Sequence, residues 1–191
     1  VPASSPDGRV HLGRSWFRRD PGCSLLYLEG EPFTLGYSNS TLTQELLEVQ
    51  ERSLIDTARA FFPSRLSFLA VGLLVLVNNR SLPSFVPGEY QYEILGLSRG
   101  GKDPFPEYGP RYHRILNYHA AHDISHWVLD KPVLGCTAFA ARGRQTRDGH
   151  LLVARNFDFE GGRHFDENKI IGLYRPEKGH AFLSVSWPGM A

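Results

Sequence analysis

The stretch "GCTAFAARGRQTRDGHLLVARNFDFE", residues 135–160, holds two runs of small and apolar residues either side of a polar, glycine-containing segment. Asp148-Gly149 between "CTAFAARG" and "HLLVARNF" is a strong hairpin signal, so the runs predict two antiparallel strands. Residues opposite one another in such a hairpin share a constant index sum, which the turn fixes. A loop over residues 144–149 pairs Cys136 with Phe157 or a near neighbour, whereas a two-residue turn at Asp148-Gly149 pairs it near Gly161. Either register brings "ARNFDFEGG" beside Cys136, with Arg155 and Asp158 in reach of the sulfur. Those two differ in strand parity, so both face one site only where the strand bulges or ends near Asn156.

Two readings of Cys136 follow. It is a small buried hydrophobe at a strand start, or the chain is cut before it and a new N-terminus begins there. In the second case the thiolate is the nucleophile and Arg155 is a cationic partner for it. A freed α-amine has a reference pKa of about 7.7 to 8.0, suited to a general base at neutral pH, and Asp158 can orient it. The proton then has a destination without any histidine. Gly135 fits the position before the cut, because a residue lacking Cβ lets the thiol approach the carbonyl.

The totals narrow the classes. The chain has 191 residues, a formal net charge of +1 and 41% hydrophobic residues, which supports a packed core and gives no global field for nucleic acid. Arg142, Arg144 and Arg147 read as a solvated turn. The two cysteines, Cys23 and Cys136, form neither a disulfide framework nor a zinc spacing, although a single bridge between them stays open. His113, His119, His122 and His126 lie on an expected helix, the last three at spacings of three and four, and, with no HExxH signature, read as a polar face; no metal or cofactor is expected. The opening "VPASSPDGR" has neither an initiator Met nor the apolar core of a signal peptide, which points to processing and a secreted or periplasmic setting.

Upstream of the hairpin, "CSLLYLEGEPFTLGYSNS" reads as a short strand, a Gly-Glu-Pro turn and a glycine-containing loop. Thr41 and Gln44 suggest a capping box opening a helix to about Ala60, with Leu42, Leu46, Val49, Ser53 and Leu54 on one face. The run "LSFLAVGLLVLV", Leu66 to Val77, predicts a buried helix over about 65–78, too short for the roughly 20 residues of a membrane span. A short helix within "YQYEILGLSRGG" and another over 111–129 follow. Downstream, "KIIGLYRP" and "HAFLSVSW" around Glu177-Lys178-Gly179 predict a second hairpin. Asn39-Ser-Thr and Asn79-Arg-Ser match the glycosylation sequon.

The ordered set "GCTAFAA", "DGHLLVARNFDFE" resembles the N-terminal nucleophile hydrolases that include penicillin V acylase, choloylglycine hydrolase and acid ceramidase. "LEGEPFTLGY", "YEILGLSRGGK" and "YHRILNYHAAHDI" are similar to the pro-region of the isopenicillin N acyltransferase-like, self-processing branch. The resemblance implies an α+β chain, with a helical pro-region over 1–135 and the first antiparallel strands of an αββα sandwich over 136–191. It implies scission between Gly135 and Cys136, with Cys136 as nucleophile and base, Arg155 steadying thiolate and substrate, and Asp158 holding the α-amine. The reaction implied is hydrolysis or transfer of an acyl group at a linear, non-peptide amide through an acyl-thioester, on a small-molecule substrate. The sandwich needs more strands than the four after residue 134, so the partners expected are the chain's own cleaved piece or a further C-terminal segment. A non-catalytic module of the same fold is the alternative.

Overall fold

The computed structural model describes residues 2–121, 123–124, 134–159 and 163–190. The first thirty residues form four strands: β1 (Ala3–Ser4), β2 (Arg9–Leu12), β3 (Ser15–Arg18) and β4 (Ser24–Gly30). Leu12 pairs with Ser15 across a two-residue turn whose Gly13 has φ 59°, a conformation that favours glycine. Helices follow: α1 (Pro32–Leu42), α2 (Gln44–Phe61), α3 (Arg65–Asn78), α4 (Gly88–Arg99) and α5 (Arg111–His119), with a 3-10 segment over Asn79–Phe85. Then come β5 (Leu134–Gly143), β6 (Gly149–Phe159), a short helix Arg163–Glu167, β7 (Ile170–Pro176) and β8 (Phe182–Ser186). The chain is α+β, and both expected hairpins are present.

The strand order is β1-β2-β3-β4-β7-β8 in one sheet and β5-β6 in a second. β4 and β7 run parallel, in register from Ser24 opposite Ile170 to Gly30 opposite Pro176. The first part of the chain is mainly helical but also supplies four of the six strands of this sheet, so segments on both sides of Cys136 build it together. The alternating burial of β4 puts Ser24, Leu26 and Leu28 on one face. There they join Phe17, Leu35, Leu42, Leu46, Ile170 and Tyr174 in a core under α1. The other face carries Tyr27, Leu173 and Leu183 in line across β4, β7 and β8, with Leu173, Leu183 and Val185 exposed.

Three sequence expectations are corrected here. The segment after Gly30 is α1, not a loop: Pro32 at its first turn presets the helical φ. Its Gly36 is a contact point, since a Cβ there would lie 1.9 Å from the Glu93 carbonyl of α4, and one on Gly96 would lie 2.1 Å from the Phe33 carbonyl. The Thr41/Gln44 capping box does not form, because Thr41 closes α1 and α2 starts after Thr43, whose hydroxyl donates to the Asn39 carbonyl at 2.7 Å. The α3 helix matches its expected span, yet none of its residues is buried.

The buried face of α2 is Leu46, Leu47, Gln50, Glu51 and Ile55, rotated from the expected one because it includes a charged partner. Glu51 accepts from Arg114 Nε at 2.9 Å and from the Tyr118 hydroxyl at 3.0 Å, while Arg114 Nη2 donates to Asp103 at 2.5 Å. Burial disfavours this guanidinium's charge, but the two carboxylates outweigh it and hold its pKa above the ordinary value. The cluster ties α2, α5 and the 100–110 loop together. A second apolar core, Ile94, Leu97, Ile115 and Leu116, joins α4 to α5. Of the helix expected over 111–129, α5 covers Arg111–His119, and residues 125–129 lie outside the described residues. Asn39 is fully buried and bonded to the 189–190 backbone, which argues against its sequon being glycosylated on the folded chain.

Candidate active site

The β5-β6 hairpin adopts the first of the two registers. Cys136 is opposite Phe157, Thr137 opposite Asn156 and Ala138 opposite Arg155. A wide loop rather than a two-residue turn sets this register. Gly143 and Gly149, with φ of 64° and 78°, bracket the loop; Thr146 N–H donates to the Gly143 carbonyl at 3.1 Å and His150 N–H to the Asp148 carboxylate at 3.1 Å. The register shift between Ala141 and Gly143 takes up an extra residue of β6, where His150 and Leu151 stand against Arg142 alone.

From that register the site follows. Cys136 and Arg155 are diagonal neighbours on one face of the hairpin, a separation that a long side chain spans. Arg155 Nη2 donates to Cys136 Sγ at 2.9 Å. Cys136 is exposed and free, which sets aside the reading of it as a buried hydrophobe and the bridge to Cys23, also free. The guanidinium N–H fixes an accessible sulfur in place and gives it a hydrogen bond from a charged donor.

Asp158 is opposite Gly135, so its backbone lies across from the residue that precedes Cys136. Its side chain, like that of Phe157, lies outside the described residues. Asn156, opposite Thr137, is exposed. The same face as Cys136 carries Val153, and Phe139 and Leu152 stand on the other; all three are exposed, so the hairpin offers apolar surface on both sides.

The histidines expected as a polar face divide. His119 is largely buried with Nδ1 2.8 Å from the Ile115 carbonyl, and burial lowers its pKa. His122 and His126 lie outside the described residues.

A cavity of about 770 Å³ lies elsewhere, between the starts of α1 and α4 and the β7-β8 hairpin. Leu35, Glu93, Tyr174, Phe182 and Met190 are among its walls, and among the described residues none of β5 or β6 lines it. Burial, with the nearby Glu89 carboxylate adding to it, pushes Glu93 up to about 7. No local pattern marks this group: an acidic residue inside "YQYEILGL" looks like solvent-facing helix until α4 is docked on α1.

No family model matches this chain. It is similar to an uncharacterized protein of Archaeoglobus fulgidus, 29% identical over 184 residues, covering 88% of this chain and 30% of that protein. The chain thus spans less than a third of that relative's length.

Proposed function

We propose that this chain carries the nucleophile of a self-processing cysteine N-terminal nucleophile hydrolase or acyltransferase, acting on linear, non-peptide amide bonds. The observation that carries the reading is the 2.9 Å contact of Arg155 Nη2 with an exposed Cys136 Sγ in the register that sets Asp158 opposite Gly135. In the processing step Cys136 Sγ attacks the Gly135 carbonyl carbon. The C–S bond forms as the Gly135–Cys136 C–N bond breaks, and the nitrogen takes a proton to become an α-amine. Water then cleaves the thioester, leaving a Gly135 carboxylate and a free Cys136 thiol.

In turnover the α-amine accepts the thiol proton as the sulfur attacks the substrate carbonyl, and returns it to the departing amine. Arg155 holds the sulfur while it is charged, and Asp158 is assigned to orient the amine. The acyl-thioester leaves to water or to an acceptor amine. No metal or cofactor enters this scheme.

Two apolar surfaces support an αββα sandwich as the complete fold. The main sheet is covered by α1 on one side and leaves Leu173, Leu183 and Val185 open on the other, while the β5-β6 hairpin has Phe139, Leu152 and Val153 open. Sheets packed face to face bury such surfaces. They equally support the second reading, a module of this fold that needs a further chain segment before it turns over substrate.

The test is acylation of Cys136. Incubation with a long-chain acyl p-nitroanilide is expected to give one equivalent of p-nitroaniline and an acyl mass on the peptide bearing Cys136, both absent in Cys136→Ser. A Cys136 that takes no acyl group and ignores thiol reagents contradicts the proposal; scission at Gly135 without acylation favours the module.

A further inference from the structure

The outward face of α3 is a run of apolar side chains that the described residues leave uncovered. Arg65–Phe85 forms 21 continuous helical residues, its most apolar 18-residue stretch has mean hydropathy 1.4, and none of its residues is fully buried. Leu66, Leu69, Leu73, Leu76 and Val77 recur at helical spacing on that face, and Leu66 is 79% exposed. Soluble surfaces seldom leave so continuous a patch bare without a binding role.

Charge indicates what covers it. Residues 57–88 contain no Asp or Glu, and their cations, Arg59, Arg65 and Arg80, flank the apolar run Leu66 to Val77. Two copies meeting through this face would bring arginines toward arginines with no counter-charge in the segment. An anionic lipid surface supplies both what the leucines need and what the arginines need.

The geometry selects lying on the membrane over crossing it. The 21 helical residues are together long enough to cross, but the apolar run Leu66 to Val77 gives only about 18 Å at 1.5 Å per residue against roughly 30 Å of hydrocarbon, and the polar Asn78-Asn79-Arg80-Ser81 follows it. The inner side of the segment is fastened to the body. Phe68 meets Tyr108 edge-on at 6.0 Å, Asn79 Nδ2 donates to Asn117 Oδ1 at 2.9 Å, and Leu82 and Val86 pack on the α4-α5 core.

We propose that the outer face of α3 seats in the interfacial layer of an anionic membrane, Leu66, Leu69, Leu73, Leu76 and Val77 among the acyl chains and Arg65 and Arg80 at lipid phosphates. Nothing in this depends on the chemistry of Cys136.

Vesicle flotation of the full chain tests it. The chain is expected to float with phosphatidylcholine vesicles containing about 30% phosphatidylserine in about 0.1 M salt, and severalfold less in about 0.5 M salt. The exposed pair Leu69→Glu/Leu73→Glu should lose about tenfold or more of the binding while keeping the wild-type circular dichroism and melting point. Arg65→Ser/Arg80→Ser should fall severalfold, toward the level on phosphatidylcholine alone. Failure to float on anionic vesicles, or unchanged flotation of the glutamate pair, overturns the proposal. So does a solution dimer that the glutamate pair dissociates and that does not float, which would assign the face to a second copy.

Discussion

At the scale of single residues, Cys136 is defined by what stands diagonally across from it. Arg155→Ala removes the donor to Sγ and should slow alkylation of Cys136 by iodoacetamide about tenfold at neutral pH, with Arg155→Lys recovering part of the rate. Equal rates in the three proteins would show that the contact does not act on the sulfur. Glu93 offers a second residue-scale prediction. Its folded pKa of about 7 lies above the ordinary carboxylate value of 4.5. The folded state therefore holds a proton that the unfolded state releases, and stability falls as pH rises from about 4.5 to about 7, by about 3 kcal/mol in all. Glu93→Gln should flatten that part of the curve and exceed the wild type at pH 8, as read by urea midpoints across pH. The placement of Arg155 beside Cys136 was legible in the sequence because a hairpin index sum is arithmetic, whereas the bulge or strand end expected near Asn156 does not occur, β6 running on in regular register to Phe159. Glu93 was not legible, because its burial comes from a helix docked from elsewhere in the chain.

At the scale of elements, the α1-α4 crossing depends on two glycines, and the close backbone approach leaves no room for a Cβ. Gly36→Ala, whose Cβ would sit 1.9 Å from the Glu93 carbonyl, must push the helices apart, at a cost of about 1–3 kcal/mol or more. Thermal melting of Gly36→Ala and Gly96→Ala checks this; Gly72→Ala on α3, where a Cβ meets nothing within 4 Å, is the control expected to melt at or above the wild type. The Arg114 cluster makes a parallel demand. Arg114→Met leaves Glu51, 2% exposed, facing α5 without its cation, and should cost about 3–5 kcal/mol. The strands after residue 134 and the span of α3 were readable from local pattern and turn chemistry. The burial of α3 was not: apolar periodicity says that a face seeks cover, without saying whether that cover is protein. The same limit turned Gly36 into a loop residue, since a helix-crossing glycine and a turn glycine look alike in one sequence.

At the scale of the whole molecule, the sheet is continuous across the bond between Gly135 and Cys136. β4 before it and β7 after it pair along seven residues, and Leu26 and Leu28 share one core with Ile170 and Tyr174. Asn39 also bonds to the backbone at Gly189 and Met190. Scission should therefore leave the two pieces bound, eluting together in native size exclusion and separating only in denaturant. The α+β class could be read from the order of patterns, but the parallel β4-β7 pair could not, because it joins strands over a hundred residues apart and no local signal encodes it. The central claim, that Cys136 is a latent N-terminus, is tested most directly by the intact mass of the chain with N-terminal sequencing of any second fragment. The account predicts two masses that sum to the chain plus one water, the second fragment beginning Cys-Thr-Ala-Phe, and a single uncut mass for Cys136→Ala. A wild-type chain that stays at one full-length mass after prolonged incubation would contradict it.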